Sequence, residues 1–515
     1  MKFYKAFLSL TVLACLSLTS CYHFTTGSGG GGGGGGNNSN KVSFVLLADT
    51  PPANLGLISF RVNISSVTLT STSGTQTTLT VNGGSGITVD LVRLQSDSAF
   101  LGTVSNVPTG GVSSIAISFS NPQLAFFNGT GATITNLNPQ CLASTVCTAA
   151  FTAVGAPVIT TSATINGNTG FGIDFNLANA FTITGTSLAL DLTNTTTTKV
   201  VSAITLPRAN SILATGQLDL IEDFTGVVTL SNSNVTIASD SSIRRGSITA
   251  AANSSTVLDA DPSGTLCKTP TPGSVSTCVS NNQVASMDAI LNSDGTFAIR
   301  EIEPLLASPT VDTVEGTVYG LPGGNPSEFL IITTDIFPAA SNSKIGALTL
   351  GQPLTVTISN NVATGGFEVD TKGLLVGGAL GNFQGATTTS AIHQGQTVAV
   401  HITSFTAASG TTLASANTDL VTLRWSRFIA TLNIANTPEF SINTLPGYFG
   451  FQPGIVLNVQ TFAGTQGTDG ITNLEVPNGT TASLPSGPVA IRALFLENSA
   501  NTQDPPFFAA KVRQP

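Results

Sequence analysis

Charged side chains are scarce in this sequence. Aspartate, glutamate, lysine and arginine make up 9% of its 515 residues, against about 25% in a typical soluble domain. Threonine, serine, asparagine and glycine take their place, and these residues favour turns and strands over helix interiors. The composition excludes an all-α protein or a coiled coil. It predicts an all-β chain with very little helix, long enough for several domains.

Basic side chains are fewer still, with 18 lysines and arginines against 27 acidic residues and a net charge of −9. No basic stripe is present, so neither nucleic acid nor anionic lipid headgroups are expected as ligands. No apolar run beyond Leu18 approaches the roughly 18 residues that identify a membrane-spanning helix, so none is predicted.

Residues 1–20 have the pattern of an export signal. Two lysines precede an apolar stretch, residues 6–18, that is too short to span a bilayer. The signal ends in Leu-Thr-Ser before Cys21, which resembles the bacterial lipobox. The resemblance implies cleavage before Cys21 and acylation of this residue. Because Tyr22 rather than aspartate follows, it also implies sorting to the outer membrane or cell surface. An ordinary signal peptide with a coincidental cysteine is the alternative.

Residues 21–40 form a predicted tether. Residues 29–36 are all glycine, and a polar tract follows them. A glycine loop that binds phosphate needs a strand before it and a helix after it, and neither pattern flanks this run. A flexible coil of this length spans about 25 Å, so the folded body is expected to stand off the lipid surface.

Four cysteines beyond Cys21 fall into two local pairs, Cys141 with Cys147 and Cys267 with Cys278. An oxidising compartment and polar loops favour two short disulfides. The alternative is one metal site built from all four thiolates, but neither pair has C-x₂-C spacing. We therefore predict two disulfides and no metal.

Alternating apolar residues predict strands in the first part of the body. In residues 58–64 apolar and polar side chains alternate, and the pattern continues one residue out of step across Ser65-Ser66. The period of two indicates a half-buried strand, and the extra residue indicates a β-bulge or a break between two strands. Further strands of this kind, separated by turn residues, predict an antiparallel β-sandwich over residues 41–205.

Four short motifs lie in the same region, at residues 44–51, 89–94, 107–110 and 173–175. The first reads Phe-Val-Leu-Leu-Ala-Asp-Thr-Pro and is similar to a Leu-Thr-Asp-Ala-Pro opening, with Thr50 in place of the alanine. Together the motifs resemble the bacterial domain of unknown function DUF four-three-eight-two. The resemblance implies a sandwich domain of a surface lipoprotein, without an assigned activity.

An eleven-residue pattern repeats in the second half of the chain. The sequence at residues 348–358 recurs 44 residues later at 392–402, and a weaker copy lies at 454–459. In each copy a glycine turn precedes a strand with a period of two, which predicts one buried face. The predicted inward residues are Leu354, Val356, Ile358, Val398, Val400 and Ile402. The predicted outward residues are Thr355, Thr357, Ala399 and His401.

These repeats, with the hairpin turn signal Asp294-Gly295, resemble the small barrel domain DUF five-six-six-six, which also has no assigned activity. The resemblance implies tandem small β-barrels. We predict barrel-like units at residues 206–305 and 306–376, and further units at 377–515.

Residues suited to catalysis are few. His401 is expected to face solvent, because the apolar residues on either side of it face the core, and His393 has no catalytic motif around it. The acidic pairs of glycosidases converge from separate elements, so Glu301 and Glu303 are expected on a solvated strand edge beside Arg300. No H-E-x-x-H or G-x-S-x-G motif is present. The sequence predicts neither an enzyme nor a cofactor.

Two ligand sites are weaker alternatives. Asp259 and Asp261 offer oxygen ligands for calcium on a glycine-containing turn, but the bidentate acid of an EF-hand loop is missing. Trp425, Tyr319 and Tyr448 have faces on which a sugar or another ligand can stack. A concave surface presenting these three would indicate a carbohydrate-binding protein.

The sequence therefore predicts a lipid-anchored protein of the bacterial cell envelope with a structural, adhesive or binding role and no catalysis. Its expected partners are membrane lipid, through acylated Cys21, and an envelope glycan or protein, but not nucleic acid. The alternative is a carbohydrate-binding or envelope-processing accessory protein.

Overall fold

The structure is a computed structural model of the chain. It describes residues 40–49, 51, 56–96, 99–127, 140–142, 146–150, 158–167, 169–184, 187–190, 203–206, 221–240, 245–254, 256–258, 275–291, 296–304, 310–322, 327–359, 366–371, 373–410, 412–452, 454–464, 470–475, 480–484, 486–496 and 506–513. The predicted signal, Cys21 and the tether up to residue 39 lie outside these ranges, as do Asp259, Asp261 and Cys267. Within these ranges, no helix has the length and apolar character needed to cross a membrane.

Fourteen strands, one short α-helix and two short 3-10 helices, Val81–Gly84 and Arg93–Gln95, occur in the described part of residues 40–206. Their bounds are β1 Asn40–Ala48, β2 Leu57–Ser71, β3 Gln76–Thr80, β4 Ile87–Asp90, β5 Ala99–Val107, β6 Gly110–Phe127, β7 Gln140–Leu142, β8 Val146–Ala150, β9 Val158–Thr160, β10 Thr164–Ile165, β11 Thr169–Phe175, α1 Leu177–Ala180, β12 Phe181–Thr184, β13 Ser187–Leu190 and β14 Ala203–Leu206.

Two sheets pack face to face in this region, which we call the sandwich. One sheet has the order β14-β11-β1-β5, and the other follows β3-β2-β6-β8-β7 with β4, β9 and β10 paired at its side. Apolar side chains of both sheets form one core, including Phe44 and Phe171 from the first and Phe60 and Ile117 from the second. The predicted all-β fold with an N-terminal sandwich is confirmed. One strand pair in it, β1 with β11, is parallel.

β2 shows the predicted interruption of the alternating pattern. Phe60 and Ile64 are buried, and the pairing of β2 with β6 shifts register between Ile64 and Ser66. After this bulge Val67 and Leu69 return to the buried face. The extra serine therefore keeps both halves of one long strand in contact with the same core.

The next six strands form a closed sheet that we call the first barrel. They are β15 Ile221–Ser231, β16 Asn234–Asp240, β17 Arg245–Ala251, β18 Val257–Leu258, β19 Val284–Leu291 and β20 Phe297–Pro304. The order is β17-β16-β15-β19-β20-β18, and a parallel pairing of Ala251 with Ala298 joins β17 to β20. Five of the strands thereby enclose a small core.

A sheet of eight strands follows, which we call the middle barrel. Its strands are β21 Asp312–Gly320, β22 Glu328–Phe337, β23 Pro353–Ile358, β24 Phe367–Val369, β25 Thr397–Ile402, β26 Ser404–Thr406, β27 Ala414–Thr418 and β28 Val421–Arg424. The order is β24-β28-β25-β21-β22-β23-β27-β26. β25 and β26 are separated only by Thr403, whose backbone N–H donates to the carbonyl of Asn417 on β27 at 2.9 Å, so the sheet curls round until its two halves meet.

The last barrel consists of β29 Ser426–Ile434, β30 Glu439–Asn443, β31 Leu457–Gln460, β32 Asn473–Glu475, β33 Pro488–Phe495 and β34 Phe507–Arg513. Its order, β31-β30-β29-β33-β34-β32 with a parallel pairing of β31 and β34, reproduces that of the first barrel. In both, three strands form a meander and the third lies parallel to the last main strand. This is the connectivity of the five-stranded Greek-key barrels of the OB type.

The two strong copies of the sequence repeat occupy equivalent turns of the middle barrel. Gly351 and Gly395 have φ values of 73° and 89°, two residues before β23 and β25. In each copy the following glutamine accepts a hydrogen bond from the backbone N–H three residues before it, at 3.1 Å and 2.8 Å. All six predicted inward residues are buried, and the four predicted outward residues are half-buried. The predicted register is confirmed.

Residues 38–515 form one compact unit. The predicted boundary between residues 376 and 377 falls inside the middle barrel, because β24 pairs with β28. The division of the chain into separate domains therefore stays a prediction, while the sheets themselves group residues 221–304, 312–424 and 426–513.

Candidate functional site at the junction of the sandwich and the barrels

A tight turn after β4 positions Arg93, the residue at the centre of the junction. Asp90 is fully buried and accepts hydrogen bonds from the backbone N–H groups of Phe60, at 2.8 Å, and Val92, at 3.1 Å. Burial raises the pKa of Asp90, and hydrogen bonds from Ser59 and Phe60 oppose this rise. The carboxyl group fastens the turn to β2, so Arg93 is held where it reaches the middle barrel.

Arg93 bridges two carboxylates of the middle barrel. Its Nη2 lies 2.8 Å from Oε1 of Glu315, and its Nη1 lies 3.2 Å from Oδ2 of Asp335. Glu315 on β21 and Asp335 on β22 are directly opposite each other, where like charges repel. Burial alone would lower the pKa of Arg93, but the charges of Asp335 and Glu315 outweigh it and raise this pKa above its usual value. The guanidinium therefore stays charged and offsets the repulsion.

Arg424 extends this network inside the middle barrel. Its Nε lies 3.4 Å from Oε2 of Glu315, and its Nη1 donates to Oδ2 of Asp370. With Arg93 and Asp335 included, three carboxylates meet two guanidinium groups, and none of these side chains is more than 8% exposed. Removing one member leaves an uncompensated buried charge, which costs about 3–5 kcal/mol.

A second charged cluster joins the sandwich to the last strand of the chain. Asp49, directly after β1, is hydrogen-bonded through its side chain to Asp174 on β11, and its backbone N–H donates to the carbonyl of Phe175 at 2.7 Å. Nη2 of Arg513 donates to the carbonyl of Leu94 at 2.9 Å. Burial and then the charge of Asp49 raise the pKa of Asp174 to about 6, while Arg513 opposes the rise.

The turn glycines of the repeat are contact points between neighbouring parts of the fold. Arg61 on β2 donates from Nη1 to the carbonyl of Leu350, and its guanidinium fills the space where Gly351 would carry a side chain. At the second copy, the ring of Phe449 from the last barrel fills the same space beside Gly395. One turn therefore receives a cation from the sandwich, and the other receives an aromatic ring.

The three aromatic residues proposed as ligand contacts require a correction. Trp425, Tyr319 and Tyr448 are 1%, 0% and 4% exposed. Trp425 lies in the core of the middle barrel, and the two tyrosines lie in the core that the middle barrel shares with the last barrel. Burial is the main cause that raises the pKa of both tyrosines. Because packing between barrels covers all three, they present no face to a sugar.

The solvated edge expected at Glu301 and Glu303 is also wrong. These side chains are 5% and 1% exposed, because β20 lies inside its sheet, between β19 and β18. Nη2 of Arg300 lies 2.8 Å from Oδ2 of Asp288 and 3.2 Å from Oε2 of Glu301. The acidic residues therefore belong to a buried cluster in the first barrel.

The two histidines of the body lie apart from these charged clusters. The side chain of His401 is on the predicted outer face but only 14% exposed, with Nδ1 3.8 Å from Oδ1 of Asp419. The ring of His393 lies 5.9 Å from that of Phe495. Among the described residues, no three histidine, cysteine, aspartate or glutamate side chains are placed to hold a metal ion.

The predicted disulfides are described only in part. Cys278 is disulfide-bonded, and its predicted partner Cys267 lies outside the described residues. The backbones of Cys141 and Cys147 are directly opposite each other in the pairing of β7 with β8. Opposed residues of antiparallel strands have the Cα separation that a disulfide needs.

Sequence reasoning missed both charged clusters at the junction, although a signal was present. Asp49 and Asp174 lie in two of the four motifs of the first domain, and Glu315 is a charged residue in the middle of a strand, next to Val314. In a chain with so few charges, a charged residue at such a position is informative. A search against protein-family models found no match to the chain, and a search among curated proteins also found none. The resemblances to the lipobox and to the two domain families stay predictions.

Proposed function

We propose that the protein is a lipid-anchored component of the bacterial cell envelope with a structural or binding role. The main support for this role is the buried ion-pair bridge from Arg93 to Glu315 and Asp335, which joins the sandwich to the barrels. A body fastened in this way keeps a fixed distance between its parts, as a spacer or a binding platform requires.

The anchor supports the same role. A thiolate is the group that a lipid donor alkylates, and the sequence places Cys21 directly after the predicted signal. Two or three acyl chains give stable attachment where a single chain does not. The glycine-rich tether then separates the rigid body from the lipid surface, so that the body is free to meet a partner.

Mass spectrometry of the N-terminal peptide tests the anchor. The wild-type protein is expected in the membrane fraction with an acylated Cys21 as its first residue. Cys21→Ala is expected to retain residues 1–20 and to lack lipid. Cys15→Ala, a change of cysteine within the signal, is the matched control and is expected to leave acylation intact. An unacylated mature N-terminus in the wild type would overturn the proposal.

A glycan array with the lipid-free body tests the role. A structural or protein-binding function predicts no preference among envelope glycans. Specific binding of one glycan class would favour the carbohydrate-binding alternative instead, and the binding surface would then have to lie away from the three buried aromatic residues.

A further inference from the structure

The carboxyl pair formed by Asp49 and Asp174 is not explained by a structural role alone. The carboxyl groups of Asp49 and Asp174 lie within hydrogen-bonding reach of each other at the ends of neighbouring strands, and two carboxyl groups can form such a bond only when one of them is protonated. The Oδ1 atom of Asp174 is buried and accepts no hydrogen bond. A salt bridge with a cation at each carboxylate would be the ordinary way to accommodate two half-buried acids, and among the described residues the cation that acts on both is Arg513.

The position of the pair connects it to the pairing of the first sheet. Asp174 lies opposite Leu47 in the parallel ladder of β1 and β11, and the backbone hydrogen bond from Asp49 to Phe175 is the next contact along it. Asp49 directly follows β1, at the point where the chain leaves the sheet towards β2. A change in the pair therefore acts on the point where β1 leaves the sheet.

We propose that Asp49 and Asp174 form an acid-stabilised clasp, in which one shared proton holds the end of β1 against β11. With the proton in place, the pair carries one negative charge, which the guanidinium of Arg513 balances. Loss of the proton to water leaves two negative charges in contact and removes the hydrogen bond. The clasp then opens, and the end of β1 separates from β11.

The groups that face the pair set the pH range of this change. Arg513 reaches it from β34 and favours the charged carboxylates, while burial favours the protonated form. On the neighbouring turn, Arg93 is directed to Glu315 and not to the pair. The pKa of Asp174 is raised to about 6 from a usual value of 3.8, so its stabilising contribution is complete below about pH 4. That contribution is lost as the pH rises through about 6.

Hydrogen exchange at several pH values tests the clasp directly. In the full-length protein in detergent, the opening equilibrium of amides in β1 and β11 is expected to increase as the pH rises from 4 to 7.5, after correction for intrinsic exchange. Two pKa units correspond to a change of about one hundredfold at most. Asp174→Asn and, independently, Asp49→Asn are expected to remove most of this pH dependence, because each leaves a neutral donor in place of the shared proton.

Glu328→Gln is the matched control, since it removes a half-buried carboxylate from β22 in a different sheet. It is expected to leave the pH dependence of β1 and β11 unchanged. An unaltered pH dependence in both asparagine variants would overturn the proposal. So would protection of the wild type by added calcium at pH 7.5 that Asp174→Asn abolishes, because the pair would then be a cation site.

Discussion

Buried charges distinguish the contact of the middle barrel with the sandwich, and a continuous apolar core distinguishes its contact with the last barrel. Towards the sandwich the middle barrel presents Glu315 and Asp335 to Arg93. Towards the last barrel its own core continues without interruption into that of its neighbour, and Leu494 and Phe508 belong to it. The first junction adds these directional contacts to the packing of Ile58 and Ala125 in the apolar core beside the barrels, whereas the second is a hydrophobic core shared by two barrels.

The two junctions have different energetic consequences. Burial of apolar area stabilises in proportion to the area, at roughly 25 cal/mol per Å². A buried ion pair gains little net stability over apolar residues of similar size, yet the loss of one partner is strongly destabilising. The apolar junction is therefore expected to supply cohesion, and the charged junction is expected to fix how the sandwich is positioned.

The largest effect is expected from Val400→Asp, because this substitution lies in the middle barrel, which takes part in both junctions. Val400 is fully buried in β25 of the middle barrel, and burying an unpaired carboxylate costs several kcal/mol. The middle barrel is expected to unfold, as measured by urea denaturation. Thr355→Asp, at an outward position of the repeat, is the control and is expected to stay folded. A folded Val400→Asp protein would contradict the observed register.

Phe508→Ala tests the apolar junction alone. The side chain is 7% exposed and packs into the core of the middle barrel, so its removal is expected to lower the free energy of unfolding by about 3–5 kcal/mol. Phe508→Leu keeps most of the volume and is expected to lose less. A loss below 1 kcal/mol for the alanine variant would show that the two barrels do not depend on this core.

Arg93→Met tests the charged junction alone. It leaves Glu315 and Asp335 opposite each other without the guanidinium between them, at an expected cost of about 3 kcal/mol in the free energy of unfolding. The same change in an Asp335→Asn background is expected to cost less, because one of the repelling charges is already gone. Equal costs in the two backgrounds would mean that the pair does not interact.

Gly395→Ala and Gly351→Ala compare the two junctions at equivalent turns. Both glycines have positive φ, which costs other residues roughly 1–2 kcal/mol. At Gly395 the new methyl group also meets the buried ring of Phe449, whereas at Gly351 it meets the flexible end of Arg61. The loss of stability in urea denaturation is therefore expected to be about 3 kcal/mol at Gly395, where strain and overpacking add, and about 1 kcal/mol at Gly351. The reverse order would contradict the comparison.

Local patterns in the sequence were sufficient to predict the strands and their faces. The alternation around Ser65-Ser66 predicted the bulge in β2, and the spacing of Gly351 and Gly395 predicted two equivalent turns with strands behind them. These features depend on side-chain period and on glycine conformation, which act over a few residues. The all-β class followed from the composition, because threonine, serine, asparagine and glycine favour turns and strands over helix interiors.

The site depends on contacts that no local pattern specifies. Arg93 pairs with residues 222 and 242 positions further along the chain. Trp425 was considered as a ligand contact and Glu303 was placed on a solvated edge, because the burial of both results from neighbouring strands and barrels, which a single strand does not reveal. Sequence reasoning assigned the inward and outward faces of a strand correctly. It did not anticipate that an outward face becomes buried where two sheets or barrels meet.

His401→Gln is expected to have the smallest effect. It tests whether the outward face of β25 is buried by a neighbouring sheet or barrel, as other outward faces are. His401 neighbours Val400 but lies on the outer face of β25, and its Nδ1 is 3.8 Å from a carboxylate oxygen of Asp419, whose side chain is 55% exposed. An ion pair with so exposed a partner contributes little, so the change in the free energy of unfolding is expected to stay within about 0.5 kcal/mol. Val400→Ala, one residue away, is the matched inward change and is expected to cost at least 1 kcal/mol because it leaves a cavity. A loss at His401 equal to that at Val400 would mean that a further contact covers this face of the middle barrel, and the distinction between an inner and an outer face would then fail at this strand.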